Sequence, residues 1–400
     1  MQNQTPTLKI EFVVIMALLM SLVALSIDGI LPALAVIGND LGVSDTKDHQ
    51  LLITMIFLGL GFGQLIFGPL SDSFGRKPII YIGFLVFALA SVICVNTNSY
   101  EALIAGRILQ GIGLASPRTL SIAMIRDSYE GDYMAKVMSF IVMIFILIPI
   151  IAPTLGQFLM LAYNWQAIFN VQLGLGVLVI FWFWKRQPET LEVSNRIPFR
   201  SETLISGFIE FFKHKQATAF TLISGFITGS FMVYLSTSQY IFEVQYNLGD
   251  DFPLIFASLA VGVGFATYLN GVFVVRIGMK RIALLSLAAY TLSSLIYVLV
   301  FFCQVNPQLW VLLTFFALQF AAVGFLFGNL RALAMQPIGH IAGVGAAING
   351  FISTVMGVLI ASVIGAYINT TVWPLFLGFT VCGFASMVIF LFNKPLERTI

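Results

Sequence analysis

Apolar runs of about 20 residues recur along the whole chain, and they restrict the fold more than any other feature. A helix of that length rises about 1.5 Å per residue and therefore crosses about 30 Å of hydrocarbon. We count twelve such runs, at residues 12–36, 51–70, 78–97, 100–125, 137–162, 166–184, 217–240, 254–275, 282–303, 309–330, 341–367 and 372–392. Only 10% of the 400 residues are charged, against about 25% in soluble proteins. The sequence therefore predicts an all-α membrane protein with twelve transmembrane helices.

The positions of the basic residues predict the orientation in the membrane, because short loops rich in Lys and Arg stay in the cytoplasm. Of the basic residues outside the spans, only Lys47 falls on one side, and the others fall on the opposite side. We therefore expect both termini to be cytoplasmic. This arrangement also accounts for the net charge of +2 without a nucleic-acid partner. The three cysteines and three histidines are scattered singly, so neither a metal site nor a disulfide framework is predicted.

The longest polar connection divides the twelve spans into two groups of six. We expect an N-terminal six-helix bundle at 1–184, a cytoplasmic linker at 185–216 and a C-terminal six-helix bundle at 217–400. The linker has room for a short surface helix near 202–212.

A repeated pattern relates the two halves. Gly68, Gly75 and Lys77 follow the second span, and Gly271, Gly278 and Lys280 follow the eighth at an offset of 203 residues. Parallel duplication of a six-helix unit is typical of transporters whose two bundles rock about a central site.

The segment after the second span has the form G-x-L-x-D-x-x-G-R-K, with Gly68, Asp72, Gly75, Arg76 and Lys77 at its main positions. Here the chain resembles the major facilitator superfamily, and the resemblance covers its whole length. It implies two pseudo-symmetric bundles and a gating role for Asp72 and Arg76, since this loop is a conformational latch in the family. Gly75 can adopt the positive φ of a tight turn. The alternative is that Arg76 and Lys77 only anchor the loop at cytoplasmic headgroups.

Further segments resemble the twelve-helix drug:proton antiporter branch, and especially its bicyclomycin/chloramphenicol-resistance subfamily. Arg107 and Gln110 fit the pattern R-x-x-Q-G-x-G in the fourth span, and Pro149, Pro153 and Gly156 fit part of an antiporter motif in the fifth. The resemblance implies a bacterial inner-membrane transporter with alternating access. It also implies a small-molecule substrate, protons as the coupling ion, no cofactor and a monomeric state.

Asp28 and Arg107 are charges within predicted spans, each about 10–12 Å from the same end of its helix. A charge at that depth requires a partner or a wet cavity. We therefore expect the two side chains to meet. One reading is a permanent structural ion pair, and the other is a carboxylate that exchanges a proton as access alternates. We favour the second, because relatives with an acidic residue in this region use it for proton coupling or cation recognition.

Arg118 lies on the same face of the fourth span as Arg107, about 16 Å further along the helix. It either extends to the cytoplasmic surface or binds a polar or anionic group of the substrate. The spans of the C-terminal half contain no acidic residue and offer neutral polar groups. Their candidate substrate contacts are Tyr234, Gln239 and Gln319, which we add to Asp28, Gln110 and Arg118.

The residues and the resemblance together predict a secondary transporter that exports small lipophilic drugs or related compounds in exchange for protons. The first alternative is proton-coupled transport of a defined metabolite, such as an amino acid, an organic acid or a siderophore. The second is a membrane sensor that has kept the fold without transport. A membrane enzyme is not expected, because the spans contain no catalytic grouping of side chains.

Overall fold

The computed structural model describes residues 10–43, 45–129, 131–196, 201–302 and 306–393. These residues form fourteen α-helices. In chain order they are α1 Ile10–Asp28, α2 Leu34–Asp40, α3 Thr46–Phe74, α4 Arg76–Asn96, α5 Tyr100–Ser128, α6 Gly131–Ala162, α7 Gln166–Arg186, α8 Ser201–Lys213, α9 Lys215–Gln239, α10 Phe252–Ile277, α11 Met279–Val300, α12 Leu309–Met335, α13 Ala342–Gly365 and α14 Trp373–Phe392.

Within the described residues, eleven helices are long and apolar enough to cross a membrane, and α6 contains a further apolar segment, Leu147–Ala162. α1 and α2 together make the first of these spans, Ile10–Asp40. Each predicted span therefore lies in helical structure, the first of them divided between α1 and α2, which confirms the all-α membrane fold. α8 has only 13 residues and corresponds to the short helix predicted within the linker.

The chain divides into two compact units, Met1–Arg200 and Ser201–Ile400. In the first unit, α1 packs against α6, and α3 and α4 both pack against α5. In the second unit, α9 packs against α13, and α10 and α11 both pack against α12. Helices at equivalent places in the two halves therefore form the same pairs, which confirms the internal duplication inferred from the repeated pattern.

The repeated glycines have the same conformation in both units. Gly75 is the single residue between α3 and α4, with φ of 99°, and Gly278 separates α10 from α11, with φ of 88°. Glycine adopts such values without the strain that a side chain causes. The predicted positive φ is confirmed, but the predicted loop is shorter than expected, because α3 continues through the motif to Phe74.

Candidate functional site

The first membrane span is interrupted beside its buried carboxylate. α1 ends at Asp28, a two-residue turn and a 3₁₀ turn at Leu31–Ala33 follow, and α2 begins at Leu34. Pro32 explains the interruption, because it has no N–H to donate to the Asp28 carbonyl and its ring collides with that group. The expectation of one continuous helix over 12–36 is therefore wrong.

Side chains from α5 and α7 bind the backbone where α1 ends. Arg107 Nη2 donates to the carbonyl of Ser26 at 3.0 Å, and Gln172 Nε2 donates to the carbonyl of Leu25 at 3.3 Å. The last carbonyls of a helix lack helical donors, and lipid offers none. Arg107 supplies a donor to Ser26, whereas the Leu25 carbonyl also accepts the N–H of Gly29 at 3.0 Å. Arg107 and Gln172 therefore stabilise the interruption.

Arg107 is fully buried and joins three helices. Its Nε donates to the carbonyl of Leu52 on α3 at 2.9 Å, and its Nη1 donates to Gln110 Oε1 at 2.9 Å. Gln110 Nε2 in turn donates to Ser91 Oγ on α4 at 2.9 Å. With the bond to α1, this network fixes the ends of neighbouring helices around the interruption.

The predicted ion pair between Asp28 and Arg107 is not formed. All three guanidinium nitrogens of Arg107 donate to neutral acceptors, and within the described residues no hydrogen bond or ion pair reaches Asp28. The two residues do lie at a similar level, since Arg107 binds a carbonyl only two residues before Asp28. The expected partner was wrong, because Arg107 donates to the Ser26 carbonyl at the end of α1 and not to the Asp28 carboxylate.

Asp28 is only 5% exposed and is the last residue of α1, where the helix dipole is negative. An ionised carboxylate at such a place costs several kcal/mol unless a proton, a cation or water neutralises it. The site can therefore hold a proton or a cationic group, which is the chemistry that ion-coupled transport requires.

The antiporter-like motif of α6 contacts the same interruption. A Cβ added to Gly156 would lie 1.9 Å from the carbonyl oxygen of Gly29, so only glycine fits there. Pro149 and Pro153 both lie inside α6 and remove two backbone donors from it. The motif thus supports the turn after Asp28 by close backbone contact.

The other predicted substrate contacts occupy different environments. Gln110 and Gln319 are fully buried, and Gln319 Nε2 donates to the Tyr290 carbonyl and to Ser293 Oγ on α11. Tyr234 is 2% exposed, with the rings of Phe256, Phe316 and Phe320 within about 6 Å. Gln239 is buried near the end of α9, and Arg118 is half-buried on α5. Of the predicted set in the first unit, the structure brings Arg107 and Gln110 together.

The predicted gating residues form a compact charged cluster. The Arg76 guanidinium is 3% exposed and pairs with Asp72 and with Asp127, the latter at 3.0 Å. It also donates to Ser71 Oγ at 2.7 Å. Arg76 therefore does not serve as a headgroup anchor, because its guanidinium is buried and paired with two carboxylates of the protein.

Glu189, from the segment after α7, holds the start of α4. Its Oε1 accepts the N–H of Arg76 and its Oε2 accepts the N–H of Lys77, both at 3.0 Å. Burial by itself raises the pKa of the Glu189 carboxyl, but backbone N–H donors, led by Leu191 and Lys77, outweigh it and hold the pKa below its usual range. An ionised Glu189 therefore ties the segment after α7 to the cluster.

Replacing Glu189 with Gln should lower the free energy of unfolding at neutral pH by about 1–2 kcal/mol. The carboxylate accepts four backbone N–H groups, and the substitution removes its charge and one of its two accepting oxygens. A carboxylate whose pKa is lowered in the folded state stabilises the fold at pH values above its unfolded pKa of about 4.3. This stabilisation is lost as the pH falls through the folded pKa. The difference in Tm between wild type and variant, measured from pH 3 to 8, should therefore shrink as pH falls below about 4.3 and disappear only below the folded pKa.

Glu192 provides the matched control, because it is exposed and, among the described residues, its carboxylate accepts only from Ser194 Oγ. Glu192→Gln should leave Tm unchanged. Equal shifts for the two variants, or a Glu189→Gln shift independent of pH, would contradict this assignment.

Sequence reasoning missed Gln172 and Glu189. Gln172 had a readable signal, since it is a polar residue within an apolar run. Glu189 had none, because its bond to α4 joins segments 112 residues apart. Among the described residues, no group of His, Cys, Asp or Glu could hold a metal ion.

Comparison with known sequences gives consistent relatives. A family model described as the Major Facilitator Superfamily matches residues 16–361. The chain is 28% identical over 382 residues to the bicyclomycin resistance protein homolog of Haemophilus influenzae, covering 95% of each chain. It is also 28% identical over 383 residues to multidrug resistance protein MdtL of Klebsiella pneumoniae, covering 92% of each.

Solved structures agree in fold. A D-xylose–proton symporter matches with a TM-score of 0.75 at 14% identity, covering 97% of both chains. The human organic anion transporter MFSD10 matches with a TM-score of 0.65 at 16% identity, covering 96% of this chain and 97% of that one. At such identities the likeness concerns the fold alone.

Proposed function

The chain belongs to the Major Facilitator Superfamily of transporters, and from this membership we propose that it exports small lipophilic drugs or related compounds in exchange for protons. The names of its relatives, a bicyclomycin resistance protein homolog and a multidrug resistance protein, support export of such compounds. The proposal needs no cofactor beyond the coupling proton.

The observation that carries the proposal is the buried carboxylate at the interrupted first span. Asp28 forms no ion pair in the described residues, because the nearby Arg107 donates to neutral acceptors, so a proton or a cationic group of the substrate neutralises the carboxylate. Competition between the two at one carboxylate couples their opposite movements. Arg107 serves this coupling as a positioning residue, because it holds the helix end that carries Asp28.

Other side chains complete the proposed pathway. We assign substrate contact to Arg118, Tyr234 and Gln239, and support of the helices around them to Gln110 and Gln319. The aromatic rings around Tyr234 supply an apolar surface for a lipophilic compound. The cluster of Asp72 and Arg76 opens and closes during each cycle as the gate.

The arrangement in the cell follows from the charge pattern. We place the protein in the bacterial inner membrane as a monomer with both termini in the cytoplasm, since the basic residues cluster on one side. The two bundles, at 1–184 and 217–400, alternate access to the site, and residues 185–216 link them in the cytoplasm.

A susceptibility panel and a reconstituted assay test the function together. Expression in an efflux-deficient host should raise the inhibitory concentration of at least one lipophilic drug. That drug is then applied as a gradient to proteoliposomes that contain a pH-sensitive dye. Drug and protons should move in opposite directions. Movement in the same direction would indicate symport, and a reconstituted protein that moves neither would contradict the proposal.

A further inference from the structure

A second carboxylate lies within a membrane span of the other unit. The span that begins at Lys215 continues without interruption to Gln245, and its last turn, Tyr240–Gln245, is π-helical. Glu243 lies in this turn and is partly buried. The expectation that spans of the C-terminal half contain no acidic residue is therefore wrong, because the predicted span stopped at residue 240, five residues before the helical span ends at Gln245. Single π-turns are rare and frequently mark functional sites.

Among the described residues, the carboxylate of Glu243 has one polar partner. Gln239 Nε2 donates to Glu243 Oε2 at 2.6 Å, one turn earlier on the same helix. Gln239 is itself 95% buried, since its exposure is 5%. The next residue back, Phe242, is fully buried and packs against Phe252 and Phe316. The carboxylate is therefore joined to a buried amide at the edge of an aromatic cluster.

In the part of the chain that the structure describes, Glu243 has no counter-ion. The basic side chains described in the second unit all lie at the opposite ends of its helices, and they are Lys213, Lys215, Arg276, Lys280, Arg281 and Arg331. The titratable groups of the segments that meet at the Glu243 end are neutral or acidic, namely Tyr240, Tyr246, Asp250, Asp251, Tyr297 and Tyr367. The end of α9 also contributes the negative pole of its dipole.

We propose that Glu243 is a second proton-exchange site, which holds a proton as the carboxylic acid and releases it to water at the end of the second unit opposite its basic residues. Gln239 keeps its hydrogen bond to Oε2 in both states, so only the proton moves, between the Glu243 carboxyl group and water. The inference rests on the proposed proton coupling and adds a site in the other half of the molecule from Asp28.

Reaction with dicyclohexylcarbodiimide tests this site without a transport assay, because this apolar reagent adds to protonated carboxyl groups. The full-length protein is labelled in detergent between pH 6 and 9, and modified peptides are quantified by mass spectrometry. A carboxyl group with a pKa near 4 is protonated in about one molecule in a thousand at pH 7. The Glu243 peptide should be labelled at least about tenfold more than solvent-exposed carboxylates at pH 7, and less as pH rises.

Glu210 is the matched control glutamate in the same unit. Its bond to Lys213 holds its pKa below the usual range, so its peptide should stay unlabelled. Glu243→Gln should abolish the labelling at that peptide, and Gln239→Leu should shift its pH dependence upwards, because a donor that stabilises the ionised form is lost. Equal labelling of Glu243 and Glu210 would overturn the proposal.

The outcome separates this inference from the proposed function. If Glu243 stays unlabelled while the wild type still moves drug against protons, the second site is wrong and proton coupling stands. If Glu243 is labelled with the expected pH dependence but no protons move in proteoliposomes, the site exists and the proposed antiport fails.

Discussion

Replacing Asp28 with Asn should lower proton-driven transport by roughly 100-fold or more, because the amide cannot take up and release the coupling proton. The side chains have the same shape, and Asp28 makes no ion pair within the described residues, so folding should be unaffected. Removal of a buried charge without a partner leaves Tm unchanged or raises it. Initial rates of drug uptake into inverted vesicles, driven by an imposed pH gradient, measure the effect.

Two controls separate coupling from binding. Asp40 belongs to the same span, is exposed and accepts from Trp165 Nε1 at 2.9 Å, so Asp40→Asn should keep transport within about twofold of the wild type. The Asp28→Asn protein should also retain exchange of labelled for unlabelled drug without a pH gradient. Wild-type rates of gradient-driven uptake in Asp28→Asn would refute the role assigned to this carboxylate.

Replacing Arg107 with Met should destabilise the first unit by about 3 kcal/mol. The change removes a buried charge, which is favourable, but it leaves the carbonyls of Ser26 and Leu52 and the amide oxygen of Gln110 without donors, at about 1–3 kcal/mol each. The Tm of the purified protein should fall by roughly 5–10 °C. Size-exclusion chromatography in detergent gives the amount of folded protein.

Arg276→Met is the control for this substitution, because Arg276 is exposed at the end of α10 and should tolerate the change. Arg107→Lys keeps the charge but provides a single nitrogen for three separated acceptors. The Tm of this variant should therefore lie between the Tm of Arg107→Met and that of the wild type. If Lys equals wild type, charge rather than the forked hydrogen bonds is what the site needs.

The sequence predicted the membrane spans and the duplication because hydrophobic length and spacing are local properties. The positive φ of Gly75 was predicted from its motif, and the repeat matched Gly278 to it; both glycines have a positive φ. The interruption of the first span was also readable, because Pro32 is four residues after Asp28. It was missed because hydropathy alone does not distinguish a continuous helix from a broken one.

The partners of charged groups were not predictable from the sequence. Depth along two helices placed Arg107 level with Asp28, but only the rotation of the packed helices decides which acceptor the guanidinium meets. Glu189 poses the same difficulty, because its bonds to Arg76 and Lys77 depend on where the segment after α7 returns. Glu243 was missed because the predicted span ended at residue 240, whereas the helical span continues to Gln245.

Competition between drug and proton at Asp28 is tested by proton release when the drug identified by the susceptibility panel binds to purified protein in weakly buffered detergent. A pH indicator records the release. Wild type should release protons on binding, and Asp28→Asn should bind the drug with a much smaller release. Binding by Asp28→Asn with the full wild-type proton release would contradict the claim that drug and proton compete at the interrupted first span.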